Sequence, residues 1–154
     1  MTDYLDANLL VRMYLQLPEC EKAVALVNSR SGRRGWPYPI TRLLRMEVVN
    51  ALYRMVFESR TDGQWRVTPE SAAIALADFE QDLDRGVFLA RSPLTLEDME
   101  PEFDQLAARY TAREGFRTYD LINVASARTM QCKRFLTFDD KSKRLAKLAG
   151  LKCD

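Results

Sequence analysis

Short apolar runs alternate with longer segments of helical periodicity along the whole chain, and this alternation restricts the fold more than any other feature. The apolar runs include YL, YPI, VFLA and RFLTF, and LKC is a possible fifth. Strands that alternate with helices predict a largely parallel sheet covered by helices. We therefore expect an α/β fold with a short, mostly parallel central sheet of about four or five strands, flanked by helices.

The ends of the predicted elements carry local signals. Pro69 follows Thr68, Gly86 and Gly115 stand at helix ends, and Thr41 and Thr118 stand at helix starts. The segments SRSGRRG and ESRTDGQ predict loops. The expected helices cover residues 7–16, 20–28, 42–57, 69–84, 96–114 and 118–131, and a last helix ends at Gly150. One expected strand ends near Leu5, and three others cover residues 38–40, 87–90 and 134–138.

Length and composition indicate one domain over residues 1–154. The chain is 47% hydrophobic with a net charge of +1, and no repeat or linker divides it. No apolar run approaches the ~18 residues of a membrane span, and the acidic start does not match a signal peptide. Three widely spaced cysteines without a CxxC pair indicate free thiols. We expect a cytoplasmic protein.

Four carboxylates stand where the predicted fold would bring them together. Asp6 follows the first strand and Asp139 follows the fourth, and the carboxyl ends of parallel strands meet at one edge. Glu47 lies on the apolar stripe of its helix, and Asp120 lies in the first turn of another. Each acid has a local explanation: an N-cap for Asp6 and for Asp139 or Asp140, the helix dipole for Asp120, and pairing with an arginine for Glu47.

The chain contains no histidine, which narrows the possible chemistry. Ser-His-Asp and Cys-His nucleophiles, a histidine base and imidazole-based zinc sites are all excluded. Several carboxylates in one crevice would repel each other unless a cation lay among them. Their hard oxygen atoms suit magnesium, manganese or calcium, and such ions promote displacement at phosphodiesters.

The ordered motifs YLDANLLV, ITRLLRMEVVNAL, RTYDLINVASA and FLTFDDKSKRLAKLAGL resemble those of the PIN-domain nucleases, most closely the VapC toxins of bacterial toxin–antitoxin systems. The resemblance spans essentially the whole chain. It implies a three-layer PIN-like fold, a ribonuclease activity and Mg²⁺ or Mn²⁺ as cofactor. It also implies a VapB-like antitoxin that covers the active site and a homodimer, to which the largely apolar helix around Glu47–Phe57 would contribute.

The resemblance also assigns roles to residues of this chain. It implies that the catalytic acids are Asp6, Glu47, Asp120 and Asp139, with Asp6, Asp120 and Asp139 as metal ligands. Asn8 and Thr137 are expected nearby as supporting residues, and Asp140 leaves the choice of the fourth acid open. One departure is Asn123, because many relatives have histidine at that position. It does not replace an acid, so it bears on RNA positioning or subfamily rather than on the chemistry.

Basic residues cluster in places where an RNA backbone could bind. Arg30, Arg33 and Arg34 lie in a predicted loop beside Trp36, and an aromatic ring near flexible arginines suits base stacking. We expect this loop to contact RNA, although exposed basic residues are common on any protein surface.

Two other functions remain open. A phosphatase similar to the haloacid-dehalogenase enzymes would use Asp6 as nucleophile, but that family has a second Asp where this chain has Asn8. A catalytically silent binding module would keep the acids only as helix caps.

Overall fold

The computed structural model describes residues 2–17, 20–28, 36–61 and 66–153. Its strands are β1 (Tyr4–Leu5), β2 (Tyr38–Ile40), β3 (Leu89–Arg91) and β4 (Phe135–Leu136). Its helices are α1 (Ala7–Leu15), α2 (Cys20–Asn28), α3 (Arg42–Thr61), α4 (Pro69–Arg85), α5 (Leu96–Leu106), α6 (Ala112–Glu114), α7 (Thr118–Thr129) and α8 (Asp140–Leu148), and a π-helical turn, Ala107–Thr111, joins α5 to α6.

The strands are parallel and confirm the α/β class, but they form two ladders instead of one. β1 pairs with β4, with Tyr4 opposite Phe135, and β2 pairs with β3, with Tyr38 opposite Leu89. β1 and β2 lie side by side, and the two pairs remain separate two-stranded sheets within the described residues. The predicted fifth strand is reduced to a single parallel bridge between Arg134 and Lys152. Strands of two or three residues offer too few backbone groups for a continuous ladder.

Several predicted helix ends are confirmed. Thr41 Oγ1 accepts a hydrogen bond from the amide of Leu44 at 3.1 Å, and Thr68 and Ser71 form a reciprocal capping box ahead of α4. Gly86 ends α4 with φ of 65°, a left-handed conformation that glycine adopts without a steric penalty.

Other boundaries differ from the sequence-based expectation. α3 continues to Thr61 instead of ending near Phe57, and in this last turn the hydroxyls of Ser59 and Thr61 donate to helix carbonyls. The N-cap of α7 is Arg117, not Thr118, and that helix ends at Thr129.

Two further differences concern β3 and the helix expected over 96–114. β3 is shifted to Leu89–Arg91 and leaves Val87 exposed. The helix is interrupted by the π-helical turn, where the hydroxyl of Tyr110 donates to the carbonyl of Leu148 at 2.9 Å.

Most buried apolar side chains belong to one cluster between the strands and the surrounding helices. Tyr4 is fully buried and stacks on Phe135 across the β1–β4 ladder, with ring centroids 5.3 Å apart. Leu9 and Leu10 of α1 are fully buried beside them. This packing holds the carboxyl ends of β1 and β4 in fixed relative positions.

The three cysteines are free thiols, as expected. Within the described part of the chain, no helix combines the length and the apolar character that crossing a bilayer requires.

Candidate functional site

A cleft of about 390 Å³ opens at the carboxyl ends of β1 and β4, between α1, α3, α7 and α8. All four acids singled out in the sequence line it, although they come from four separate segments of the chain. The lining includes Asp6, Glu47, Asp120 and Asp139, together with Asn8, Arg12, Arg54, Arg117, Phe138 and Ser142.

Asp6 lies at the floor of the cleft and is only 4% exposed. Its Oδ1 accepts from the amide of Ala7 at 2.8 Å, so the predicted N-cap is present. Its Oδ2 accepts from the side chains of Asn8 at 2.8 Å and Thr137 at 2.7 Å. No described basic side chain forms an ion pair with Asp6, and burial raises its pKa to about 6.

Asn8 and Thr137, which the family resemblance implies near the acids, lie beside Asp6. The Thr137 hydroxyl, which donates to Asp6, accepts from Asn8 Nδ2 at 2.9 Å and from the amide of Asp139 at 3.0 Å. Asn8 Oδ1 in turn accepts from the amide of Phe138 at 3.0 Å. This network connects the end of β1 to the loop after β4 and fixes the orientation of Asp6 relative to Asp139.

Glu47 enters the cleft from α3 and is held by a chain of hydrogen bonds from the core. The hydroxyl of Tyr4 donates to Asn123 Oδ1 at 2.8 Å, and Asn123 Nδ2 donates to Glu47 Oε2 at 2.7 Å. With the amide oxygen of Asn123 accepting from Tyr4, its N–H group faces Glu47. Burial raises the pKa of Glu47 to about 7, against the opposing effect of the Asn123 hydrogen bond.

Asp120 is buried at the start of α7 and is paired with Arg117. Arg117 Nε lies 3.1 Å from Asp120 Oδ2 and Nη2 lies 3.2 Å from Oδ1, which makes the contact bidentate. The backbone amide of Arg117 also donates to Asp120 Oδ2 at 3.1 Å. The predicted role at the helix start is therefore present, alongside a side-chain ion pair.

Asp139 is the N-cap of α8, and its Oδ2 accepts from the amide of Ser142 at 2.9 Å. The Ser142 hydroxyl lies 2.7 Å from Asp139 Oδ2 and 3.1 Å from Asp120 Oδ1, and it can donate its single proton to one of these acids at a time. Burial tends to raise the pKa of Asp139, but the hydrogen bonds from Ser142 and the charge of Arg117 hold it below its usual value. Asp140 is exposed and does not line the cleft.

The oxygen-rich lining of the cleft suits a hard divalent cation. Asp6 and Glu47 have no ion-pair partner among the described residues, and a buried anion without a counter-ion is costly. Among the described residues, no group of three or more acidic or cysteine side chains is positioned as a preformed metal site. Asp120 faces Arg117 and Ser142 instead, so binding an ion would require these side chains to reorient.

Sequence reasoning missed two residues of the cleft, Arg117 and Ser142. Each lies three positions from an acid at a helix start, and that spacing could have indicated a contact within the first turn. It also missed the pairing of Arg12 with Phe138, in which the guanidinium carbon lies 5.5 Å from the ring centroid at the cleft wall.

The predicted RNA-contact loop is only partly described. Arg30, Arg33 and Arg34 lie outside the described residues. Trp36 is half-buried, its ring packs edge-on against Phe88 at 5.2 Å, and it does not line the cleft. Its Nε1 is buried without a hydrogen-bond partner among the described residues.

Comparison with models of known protein families gives no match, and comparison with curated proteins gives no match either.

Proposed function

We propose that the chain is a metal-dependent endoribonuclease with a PIN-like fold, acting as the VapC-like toxin of a toxin–antitoxin pair. The observation that carries this proposal is that Asp6, Glu47, Asp120 and Asp139 line one cleft although they are far apart in the sequence. Asp6 and Asp139 would meet at the paired strand ends even as helix caps, but Glu47 reaches the same cleft from the interior of α3, where capping does not explain it. The ordered motifs that resemble those of PIN-domain nucleases supply the choice of substrate.

Asp6, Asp120 and Asp139 would hold Mg²⁺ or Mn²⁺ in the proposed mechanism. When bound, such an ion stabilises negative charge on phosphate oxygens. Asn8 and Thr137 orient Asp6 through hydrogen bonds to its Oδ2.

Glu47 acts as the general base in the same mechanism. Asn123 occupies its Oε2, which leaves Oε1 to accept a proton from the attacking water. A carboxyl group with a pKa of about 7 is well matched to this role.

Arginines at the cleft wall support a nucleic-acid substrate. Arg12 lies over the ring of Phe138, and Arg54 has an exposed side chain that pairs with Glu58 at 3.0 Å. Guanidinium groups bind phosphates, and an aromatic ring beside them can stack on a base.

The proposed partners also follow from the surface of the cleft and of α3. An antitoxin segment that covers the cleft would place an arginine or lysine against its carboxylates. Met46, Tyr53 and Phe57 are exposed along one face of α3, which supports the proposed homodimer.

One alternative has an observation in its favour. Asp6 and Asp139 do cap helices, and Asp120 belongs to a capping box, as a catalytically silent binding module requires. The phosphatase alternative has no such support, because the amide of Asn8 donates to Asp6 and cannot serve as an acid or base.

RNA cleavage by neighbouring variants separates the nuclease from the silent module. Asp139→Asn should remove most of the RNA cleavage activity. Asp140 is exposed and lies outside the cleft, so Asp140→Asn should leave the activity nearly unchanged. Asparagine caps a helix about as well as aspartate, so both variants should keep α8. Wild-type cleavage should need Mg²⁺ or Mn²⁺ and stop with excess EDTA. Cleavage that survives EDTA, or equal activity of the two variants, would exclude the proposed mechanism.

A further inference from the structure

Arg117 forms ion pairs with two of the four acids of the cleft, Asp120 and Asp139. Its guanidinium binds both oxygens of Asp120, and its Nη2 also lies 3.8 Å from Asp139 Oδ2. The side chain is nevertheless 69% exposed, while that of Asp120 is 6% exposed. An exposed cation therefore lies on the solvent side of two buried or half-buried acids.

Asp120 keeps a backbone hydrogen bond when the guanidinium leaves. The backbone amide of Arg117 donates to Oδ2, and the hydroxyl of Ser142 lies within hydrogen-bond distance of Oδ1. Because the guanidinium already faces solvent, it can leave Asp120 without crossing the protein interior. Neither of these groups moves with the guanidinium, and the Ser142 hydroxyl, which Asp120 shares with Asp139, can turn toward Asp120.

We propose that Arg117 is a displaceable counter-ion of the cleft, which a divalent cation drives away from Asp120 and which then binds a phosphate group of the RNA. This inference rests on the proposed function, since it concerns the same cleft and the same substrate.

Competition follows from the positions of the groups. The guanidinium occupies both carboxylate oxygens of Asp120, so an ion that binds Asp120 must take at least one oxygen from it. The guanidinium and a divalent ion also repel each other at such short distances. Arg117 therefore lowers the affinity of the cleft for the ion while it remains in place.

The second role follows from the displacement. Once released, the guanidinium remains tethered at the start of α7, at the mouth of the cleft, without its carboxylate partner. A planar fork of N–H donors matches a phosphate group as well as a carboxylate. The Arg117 side chain thus neutralises the charge of the acids before the ion binds, and it neutralises the phosphate charge of the substrate afterwards.

The two roles predict opposite effects of one substitution. Arg117→Gln should bind Mn²⁺ about fivefold more tightly than wild type, near the upper end of what an exposed ion pair is worth. At saturating Mn²⁺, the same variant should have a raised KM for RNA. Arg117→Lys keeps the charge but not the bidentate fork, so its Mn²⁺ affinity should lie closer to that of wild type.

Arg113→Gln is the matched control. Arg113 is also 69% exposed, and it pairs with Glu114 outside the cleft. The Arg113→Gln substitution removes the same charge as Arg117→Gln, and it should change neither the affinity for Mn²⁺ nor the KM for RNA. Titration calorimetry with Mn²⁺ alone measures the affinity, and circular dichroism verifies that each variant is folded.

The possible outcomes separate this inference from the proposed function. If wild type cleaves RNA and a folded Arg117→Gln binds Mn²⁺ no more tightly, the counter-ion role is wrong. If Mn²⁺ binding tightens but KM stays unchanged, the phosphate role is wrong. If wild type binds Mn²⁺ but cleaves no RNA, the proposed function fails. The Mn²⁺ affinities of the variants then still show whether Arg117 competes with the ion for Asp120. A wild type that binds no Mn²⁺ overturns both proposals.

Discussion

Asp6→Asn distinguishes a buried metal ligand from a simple helix cap, and its effect on stability should change with pH. Burial raises the pKa of Asp6 from 3.8 to about 6 in the folded protein. Between these values the folded state holds a proton that the unfolded state has lost, so stability falls as pH rises. A shift of about 2 pKa units corresponds to about 3 kcal/mol of lost stability above pH 6.

Asparagine removes this charge but does not replace every contact. Asp6 accepts from Ala7, Asn8 and Thr137, and an asparagine amide has only one accepting oxygen. The unmatched donor should cost about 1 kcal/mol at any pH. We therefore expect the metal-free variant to be about 1 kcal/mol less stable than wild type at pH 4 and about 2 kcal/mol more stable at pH 8.

Urea denaturation in EDTA, followed at several pH values from 4 to 8, measures this difference. The change of about 3 kcal/mol across the range is the decisive quantity, because contributions from groups distant from Asp6 cancel between the two proteins. Glu47 does not cancel: the Asp6 charge helps to raise the pKa of Glu47, so loss of that charge adds to the change in the same direction. Asp140→Asn, which alters an exposed carboxylate, should not reproduce it. Magnesium should then stabilise wild type more than Asp6→Asn, and only wild type should cleave RNA.

A stability difference that stays constant with pH would show that Asp6 does not carry the cost of a buried charge. A variant that cleaves RNA normally and keeps the full magnesium effect would restrict Asp6 to the role of a helix cap.

Three further predictions test the site and the fold. Glu47→Gln should lower kcat for RNA cleavage by about 10² or more while leaving the protein folded, and normal turnover would exclude Glu47 as the base. Asn123→Leu removes the hydrogen bonds that Asn123 makes with Tyr4 and Glu47 and should cost about 2 to 3 kcal/mol in denaturant titrations, whereas Tyr4→Phe should cost about 1 kcal/mol. Equal losses would show that the chain of hydrogen bonds is not the cause. Gly86→Ala should lower stability by about 1 kcal/mol, because φ is 65° although nothing lies within 4 Å of an added Cβ. An unchanged melting temperature would contradict that reasoning.

The parts of the fold that depend on local signals could be predicted from the sequence. Thr68 followed by Pro69 marks the start of α4, and Gly86 marks its end, because capping is decided within a few residues. Whether short strands join into one sheet is not determined by such local signals. β1 and β4 are two residues each, and whether they extend into one sheet depends on contacts between distant segments.

The same distinction applies to the candidate site. The acids could be proposed because each stands at an informative position in its own motif. The contact of Asn123 with Tyr4 spans 119 positions and could not be inferred from either neighbourhood. Arg117 was missed because an arginine near a helix start is usually solvated, and only the structure places it on Asp120.

One oxygen of Asp139 belongs both to the cleft and to α8, because it accepts from the amide of Ser142 while it faces Arg117. α8 has nine residues, and a helix this short depends on its end contacts, since the first turn is costly to form. Anything that draws this oxygen into the cleft loosens the first turn of α8 and lowers the free energy of its local opening. The hydrogen-exchange rate of the Ser142 amide should therefore follow occupancy of the cleft, and it can be measured without any substrate turnover.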